Sequence, residues 1–334
     1  MTDTLPQTMR ALQVDAPNAP FTEVRLPLPM AGQGQALVRI LASGVNPLDT
    51  KIRAGQAAHA RQPLPAVLGI DLAGVVQAVG EGVVTFRPGD EVYGMAAGIG
   101  GAQGSLAEFA AVDAQLLALK PRTLSMREAA ALPLAAITAW EGLVDQARLG
   151  AGETVLVQGG AGGVGHIAVQ LARSRGARVF ATASAAQAGV VAAWGATPID
   201  HAGETVADYV QQHTGGQGFD VVFDSVGGAV LDASFQAVRR KGRVVSILGW
   251  GTHSLAPLSF RAASYSGVFT LLPLLTGKGR ARHGEILQEV AALVEAGVLR
   301  PRVDERRFVL ADAGEAHALV ASGGAKGKVV VDLA

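Results

Sequence analysis

The stretch "VLVQGGAGGVGHIAVQLAR", residues 155–173, passes from a run of mostly β-branched apolar residues through a cluster of glycines to an apolar pattern of helical period. Gly160, Gly162 and Gly165 satisfy G-x-G-x-x-G between an expected strand and an expected helix. Two readings compete here: a silent strand-to-helix turn, or a backbone that must come very close to a bound group. The second makes a separate demand on each glycine. The first permits the tight turn, the second lets main-chain N–H groups reach a pyrophosphate, and the third lets helix and strand pack closely. Phosphate then sits at a helix N-terminus, where unsatisfied N–H donors and the helix dipole stabilise negative charge. Gly163 and Val164 belong to the same loop.

Outward from this loop, the strand-like runs "TVLVQG" (154–159), "RVFATA" (178–183), "FDVVFDSVG" (219–227) and "RVVSILG" (243–249) alternate with helical stretches. Continuous apolar strands separated by helices imply a parallel sheet covered on both faces. A doubly wound α/β domain of the dinucleotide-binding type is therefore expected over 126–261. Upstream, short apolar or alternating runs broken by Gly and Pro fill residues 36–113 and read as mostly β. The texture turns to Ala-rich helix at Ser125, whose spacing to Glu128 is that of a capping box. This sets a first domain at 1–125. The closing pieces, 262–334, are too few for a domain of their own and are expected to return and complete the first. Within them the aliphatic run "VFTLLPLL" (268–275) is expected to form an exposed strand edge that pairs with a second subunit.

Composition removes whole classes of function. The chain has 334 residues, 49% hydrophobic, enough for two cores. Lys plus Arg and Asp plus Glu number 28 each, so no global field exists to hold nucleic acid or an anionic membrane. With no cysteine, disulfides, thiolate metal sites and cysteine nucleophiles are all excluded. The stretch "MTDTLPQTMRALQVDAP" lacks the pattern of a signal peptide, and no run reaches about 18 uninterrupted apolar residues. A cytoplasmic location is the expectation.

Gly152, Glu153, Leu156, Gly160-Ala161, Gly162, Gly163, Gly165, Gln170 and Arg173 together resemble the fingerprint of the zinc-independent quinone oxidoreductase (zeta-crystallin-like) branch of the medium-chain dehydrogenase/reductase superfamily. The likeness continues through "GVNPLDTKIRAG" (44–55), "LGIDLAGVVQAVGEGV" (68–83), "RPGDEVYG" (87–94), "FDSVGG" (223–228) and "GKVVV" (327–331). The resemblance implies a GroES-like, mostly β catalytic domain made from both chain ends, around a Rossmann domain that binds a nicotinamide coenzyme.

Zinc relatives carry a Cys at the site corresponding to Asn46 and a His-Glu pair at the site of Ile70 and Asp71, so the resemblance is to the zinc-free branch. A site from His59, Asp49 and Asp71 is conceivable from ligand chemistry alone, yet no two histidines show ligand spacing. Without a Lewis acid, carbonyl–alcohol interconversion loses its main catalytic element. Conjugate reduction does not need one, because hydride attack on the β-carbon of an enone or quinone delivers charge to an enolate that hydrogen bonds can stabilise. The resemblance implies that Asn46 points its amide toward nicotinamide and substrate oxygen, and that Thr138 lies by the nicotinamide. Against these stand a turn residue before Pro47 and a buried helix hydroxyl. Lys51 is either a donor at the active-site rim or a solvated surface lysine. Asp49 either fixes local backbone or acts as an acid. Tyr93, Trp140 and Trp250 are candidate pocket walls, and core aromatics would look the same.

An NAD-preferring domain offers a carboxylate about 20 residues past the fingerprint to hold the ribose 2'-hydroxyl. Ser184 stands at that place and nothing nearby repels a 2'-phosphate, so NADP(H) is favoured over NAD(H). Relatives that grip the phosphate often carry a Lys where this chain has Ala188. By the same resemblance His201 contacts the adenosine end, and Ser225, Gly227, Gly249 and Lys328 line the coenzyme site. The leading expectation is a zinc-independent, NADPH-dependent quinone or enone reductase, a homodimer acting on a small molecule. An enoyl-thioester reductase is the nearest rival. A coenzyme-binding structural or RNA-contacting crystallin-like protein is the rival of another class.

Overall fold

The computed structural model describes residues 5–333, so the start of the amino-terminal reading and the final residue lie outside it. The chain divides into two units, one running from 135 to 270 with Val298–Arg300, the other taking the remainder.

In the first of these, six strands lie in the order Thr197–Asp200, Arg178–Ala183, Thr154–Gln158, Phe219–Asp224, Val238–Ser246 and Ser264–Gly267. Every pair is parallel. Thr154–Gln158 is buried at all its positions, as a strand covered on both faces must be. Leu156, Ile199, Phe219, Val222, Leu231 and Phe235 form an apolar cluster in this unit. This is the Rossmann arrangement, and the strand order reverses at Thr154–Gln158, the position from which such sheets bind ligands at their carboxyl ends.

The second unit is β-rich and GroES-like. A seven-stranded sheet runs Phe308–Val309, Val329–Asp332, Gln35–Val45, Asp71–Val79, Glu91–Met95 and Leu117–Leu119, with Phe109–Asp113 also paired to Gln35–Val45. A three-stranded sheet joins Thr22–Pro27, Thr8–Val14 and Ala66–Val67. Strand Val329–Asp332 is how the carboxyl end returns: it pairs antiparallel with Gln35–Val45.

Two expected boundaries move. The helix Met126–Ala130, entered through the Ser125–Glu128 capping box, packs on Gln35–Val45 and Asp71–Val79 and so belongs to the β-rich unit. Its Arg127 guanidinium donates to the carbonyls of Val330, Asp304 and Arg306. The division falls at 134/135, inside the helix Pro133–Trp140, instead of at 125/126. At the other end, Ser264–Gly267 pairs with Val238–Ser246 and stays with the parallel sheet, moving the boundary from 261/262 to 270/271. The run 268–275 is not the edge strand. The edge is Ser264–Gly267, and Leu272–Thr276 is a helix with Pro273 in its first turn, where a residue without an N–H is tolerated and a ladder is not continued. Among the described residues no helix is long and apolar enough to cross a membrane.

Candidate active site

The glycine loop is built on a threonine of the next strand. Thr182 Oγ1 donates to Gln158 Oε1 (2.8 Å) and accepts the Gly159 N–H (2.9 Å), while the Gly160 N–H reaches the Thr182 carbonyl (2.9 Å). The tight turn falls on Gly159, whose φ is +75°, and not on Gly160 as the motif implied. Gly160 is needed for packing: a Cβ there would lie 2.5 Å from the Cβ of Ala181. Gly165 behaves as expected, since a Cβ would lie 2.0 Å from the Gly159 carbonyl oxygen. Gly162 is different again. Only the Gly159 oxygen, at 3.1 Å, lies near a Cβ added to it, and Gly162 and Gly163 are exposed. The following helix, Gly165–Ser174 with Val164 before it, has no side-chain cap. Its first N–H groups are thus not claimed by a capping side chain, and a branched side chain at Gly162 would stand in front of them. This cradle fits a pyrophosphate.

Three supports of the loop escaped the sequence reading. Thr182 is one. His166 is buried beneath the loop, with both its backbone N (3.1 Å) and its Nδ1 (2.9 Å) on the Gly162 carbonyl. The available signal was a histidine four residues beyond the middle glycine, one helical turn on. Asp224, fully buried, accepts from the N–H groups of Val226 and Gly227 and from Ser246 Oγ, which closes the loop after the fourth strand.

The remaining expected coenzyme residues of this unit gather at the carboxyl ends of the strands. Ser184 follows Arg178–Ala183, and the His201 N–H donates to the Ala183 carbonyl (3.3 Å), so these two come together. Ser225 Oγ donates to the Gln158 carbonyl (2.7 Å). Gly227 has φ +78°, and at Gly249 a Cβ would meet the Tyr265 hydroxyl at 2.0 Å. Thr138 is buried on the helix Pro133–Trp140, as is Trp140, whose Nε1 finds no hydrogen-bond partner.

In the β-rich unit a second polar cluster centres on Asn46, which is 1% exposed. Its extended backbone (φ −116°, ψ 155°) is the conformation that Pro47 imposes on its predecessor. The Asn46 N–H donates to Asp49 Oδ2 (2.8 Å), its Nδ2 donates to Asp71 Oδ2 (3.0 Å), and the Lys328 ammonium donates to its Oδ1. Asp71 Oδ1 accepts the Leu134 N–H (3.0 Å). Lys328, expected with the coenzyme residues, is therefore placed against Asn46. Burial pushes the Asp49 carboxyl up to about 7, the Asn46 N–H and Lys328 opposing and the Asp71 charge adding to the rise. Burial likewise raises Asp71 to about 6 against the pull of Lys328, and lowers the Lys328 ammonium against the two carboxylates. Asp49 Oδ1 is buried with no hydrogen-bond partner, which adds to the cost of a negative charge on this carboxyl. Among the described residues no group of three His, Asp or Glu side chains is placed to hold a metal ion.

The model for the alcohol dehydrogenase GroES-like domain matches residues 32–122, and that for zinc-binding dehydrogenases matches 194–331. The chain is 35% identical over 317 residues to an NADPH-dependent alkenal/one oxidoreductase of Arabidopsis thaliana, covering 92% of this chain and 75% of that protein. The chain belongs to the medium-chain dehydrogenase/reductase superfamily, in its zinc-independent quinone and enone reductase branch. Among solved structures of the superfamily, an alcohol dehydrogenase superfamily protein from Novosphingobium aromaticivorans superposes with TM-score 0.96 at 56% identity, covering 98% of this chain and all of that one. A quinone oxidoreductase from Coxiella burnetii gives TM-score 0.82 at 30% identity, with the same coverages.

Within this reductase framework several expected residues take other parts. Tyr93 is not a pocket wall. It is fully buried, and its hydroxyl donates to the Leu287 carbonyl at 2.6 Å, because strand Glu91–Met95 turns it into the core. Lys51 is exposed on the helix Pro47–Arg53, whereas Asp49, two residues earlier, is buried. Trp250 is 56% exposed and meets Phe269 edge-on.

Proposed function

We propose that this protein is a zinc-independent oxidoreductase that uses NADPH to deliver hydride to a quinone or to the β-carbon of an α,β-unsaturated carbonyl. The observation that carries the reading is the Asn46 amide, clamped between an ammonium and a carboxylate where zinc relatives carry a metal ligand. The plant relative, named for NADPH-dependent reduction of alkenals and enones, supports the same chemistry. Bound coenzyme supplies the hydride. The protein's part is to bind and orient. Gly163 and the N–H groups opening Gly165–Ser174 would hold pyrophosphate, passing over the side-chain-free Gly162, with His166 fixing the Gly162 carbonyl behind them. Ser225, Gly227 and Gly249 would border the coenzyme from neighbouring strand ends, and Thr138 would serve the nicotinamide end. Asn46 is the donor to the oxygen on which negative charge develops, a role worth about 10²–10³ in rate for one preorganised donor.

In this reading Ser184 and His201 would face the ribose 2' position; strand Arg178–Ala183 ends without a carboxylate of its own, and the nearest in register is Asp200, the partner of Ala183. A carboxylate introduced by Ser184→Asp would repel a 2'-phosphate and accept hydrogen bonds from free ribose hydroxyls. NADPH use should then collapse while NADH use holds. An unchanged ratio of kcat/KM for the two coenzymes would remove Ser184 from the ribose. We place the protein in the cytoplasm as a homodimer joined through the open edge of strand Ser264–Gly267, without nucleic acid or membrane as partner. The deciding experiment is an NADPH-oxidation screen across quinones, α,β-unsaturated ketones, alkenals, enoyl thioesters and simple ketones, with and without chelator. Turnover of the first three classes, unaffected by chelation, is expected. Preference for enoyl thioesters would move the protein to the longer-substrate reductases, and chelator-sensitive ketone reduction would overturn the reading.

A further inference from the structure

We propose that Lys328 is a positioning residue for the reduction, acting through Asn46 by locking its amide in one orientation. This rests on the hydride-transfer reading above. Sheet register puts the two together: Val329 pairs with Val45 in antiparallel strands, so the preceding Lys328 falls opposite the following Asn46. Gly44 pairs with Asp71 on the other side of the same strand, which brings the carboxylate to the amide nitrogen.

An ammonium only donates and a carboxylate only accepts. Turning the Asn46 amide by half a turn would set its NH₂ against the Lys328 ammonium and its oxygen against Asp71. Only the arrangement with Oδ1 on Lys328 and Nδ2 on Asp71 satisfies both partners. Nδ2 carries two hydrogens, and Asp71 takes one. The second is the donor that the lock holds in a fixed direction for a substrate oxygen. Asn46, Asp71 and Lys328 are 1%, 0% and 6% exposed, so water does not compete for these bonds. The charges acting on the ammonium are those of Asp71 and Asp49. Arg127, on the helix packed against the same strands, is engaged by Val330, Asp304, Arg306 and Asp332. Lys328 is thus the cation of this cluster.

Lys328→Met keeps the length of the stem and removes the ammonium, and Lys328→Arg keeps the charge. With methyl vinyl ketone or benzoquinone as acceptor, kcat of Lys328→Met should fall by about tenfold or more while the NADPH Kd, read from tryptophan fluorescence, stays within about twofold; Lys328→Arg should recover much of the loss. A second readout does not depend on turnover. The chain contains only two asparagines, Asn18 and Asn46, so protein made with isotope-labelled asparagine shows just two side-chain amides by NMR. The Asn46 pair should exchange slowly in wild type and Lys328→Arg, and lose protection in Lys328→Met. A raised NADPH Kd with an unaltered Asn46 amide would make Lys328 a coenzyme ligand and overturn the proposal, as would a Lys328→Met protein with wild-type kcat. If wild type reduces no acceptor, the hydride-transfer reading fails by itself, and the amide spectra still decide whether Lys328 sets the orientation of Asn46.

Discussion

In the glycine loop the groups proposed for the coenzyme are main-chain N–H groups at the start of the helix Gly165–Ser174, whereas the Asn46 cluster draws side chains from positions 46, 49, 71 and 328. The first arrangement depends on what is missing: a Cβ at Gly160 or Gly165 meets atoms at 2.5 or 2.0 Å. The second depends on what is present, since each buried charge is tolerable only while its partners remain. The two regions should therefore fail differently. A substitution in the loop acts through volume, and one in the cluster through an abandoned charge.

The largest effect is expected from Asp71→Leu. It removes the acceptor of the Asn46 Nδ2 and Leu134 N–H bonds and leaves Asp49 as the only carboxylate beside the buried Lys328. Breaking one side of a buried pair costs about 3–5 kcal/mol. Asp71→Asn, which retains one acceptor, should cost clearly less. Chemical denaturation of the two variants measures this. If both lose the same small amount, charge compensation is not what holds the cluster together.

The loop should show a contrast between two of its own glycines. Gly165→Ala forces a Cβ onto a backbone oxygen that cannot retreat without moving the strand end, so destabilisation of about 3 kcal/mol is expected, at the top of the overpacking range. Gly162→Val meets only the Gly159 carbonyl oxygen, at 3.1 Å, which must give by a few tenths of an ångström, so the loss of stability should be clearly smaller than for Gly165→Ala, and NADPH affinity should drop instead. Were Gly162→Val to fold and bind NADPH normally, the loop would be a silent turn and the comparison would collapse.

The same contrast explains what could be read in the chain beforehand. A backbone site is contiguous, so the G-x-G-x-x-G spacing, the alternating strands and helices, and the unit they build were legible around residue 160. What was misplaced there was local: the positive φ belongs to Gly159, because the turn starts one residue before the motif. Thr182 and Asp224 were missed since a hydroxyl and a carboxylate that hold main-chain groups leave no spacing signature, whereas the signal for His166 was its place four residues beyond Gly162. Asn46 and Lys328 were picked out through resemblance and Asp49 through its place beside Asn46, but Lys328 was assigned to the coenzyme and apart from the other two. Their union depends on the register of strand Val329–Asp332 against Gln35–Val45, a pairing across almost the whole chain that local pattern does not encode. The boundary at 134/135 was hidden for a related reason, because the helix Met126–Ala130 reads like the start of the α/β unit and is claimed by the other through Arg127.

The prediction that probes the cluster most finely is a pH dependence assigned to Asp49. Burial raises its carboxyl from 3.8 to about 7. Between these values the folded protein keeps a proton that the unfolded chain has released, so stability falls as pH rises through this window and levels off above it. Asp71, raised to about 6, acts in the same sense. His317, lowered by burial to about 3, acts in the opposite sense, adding stability as pH rises toward 6.5. Asp49→Asn replaces the protonated acid by a neutral amide of the same shape and keeps an acceptor for the Asn46 N–H, leaving the other two groups in place. The difference in melting temperature between variant and wild type cancels the contribution of His317, while Asp71, coupled to Asp49 by charge, shifts in the same sense. It should be small near pH 4, grow in favour of the variant by several degrees up to about pH 7, and stay constant beyond. A difference that is flat across the whole range would mean that Asp49 is ionised in the fold, with the Lys328 ammonium serving two carboxylates at once and less free to lock the Asn46 amide.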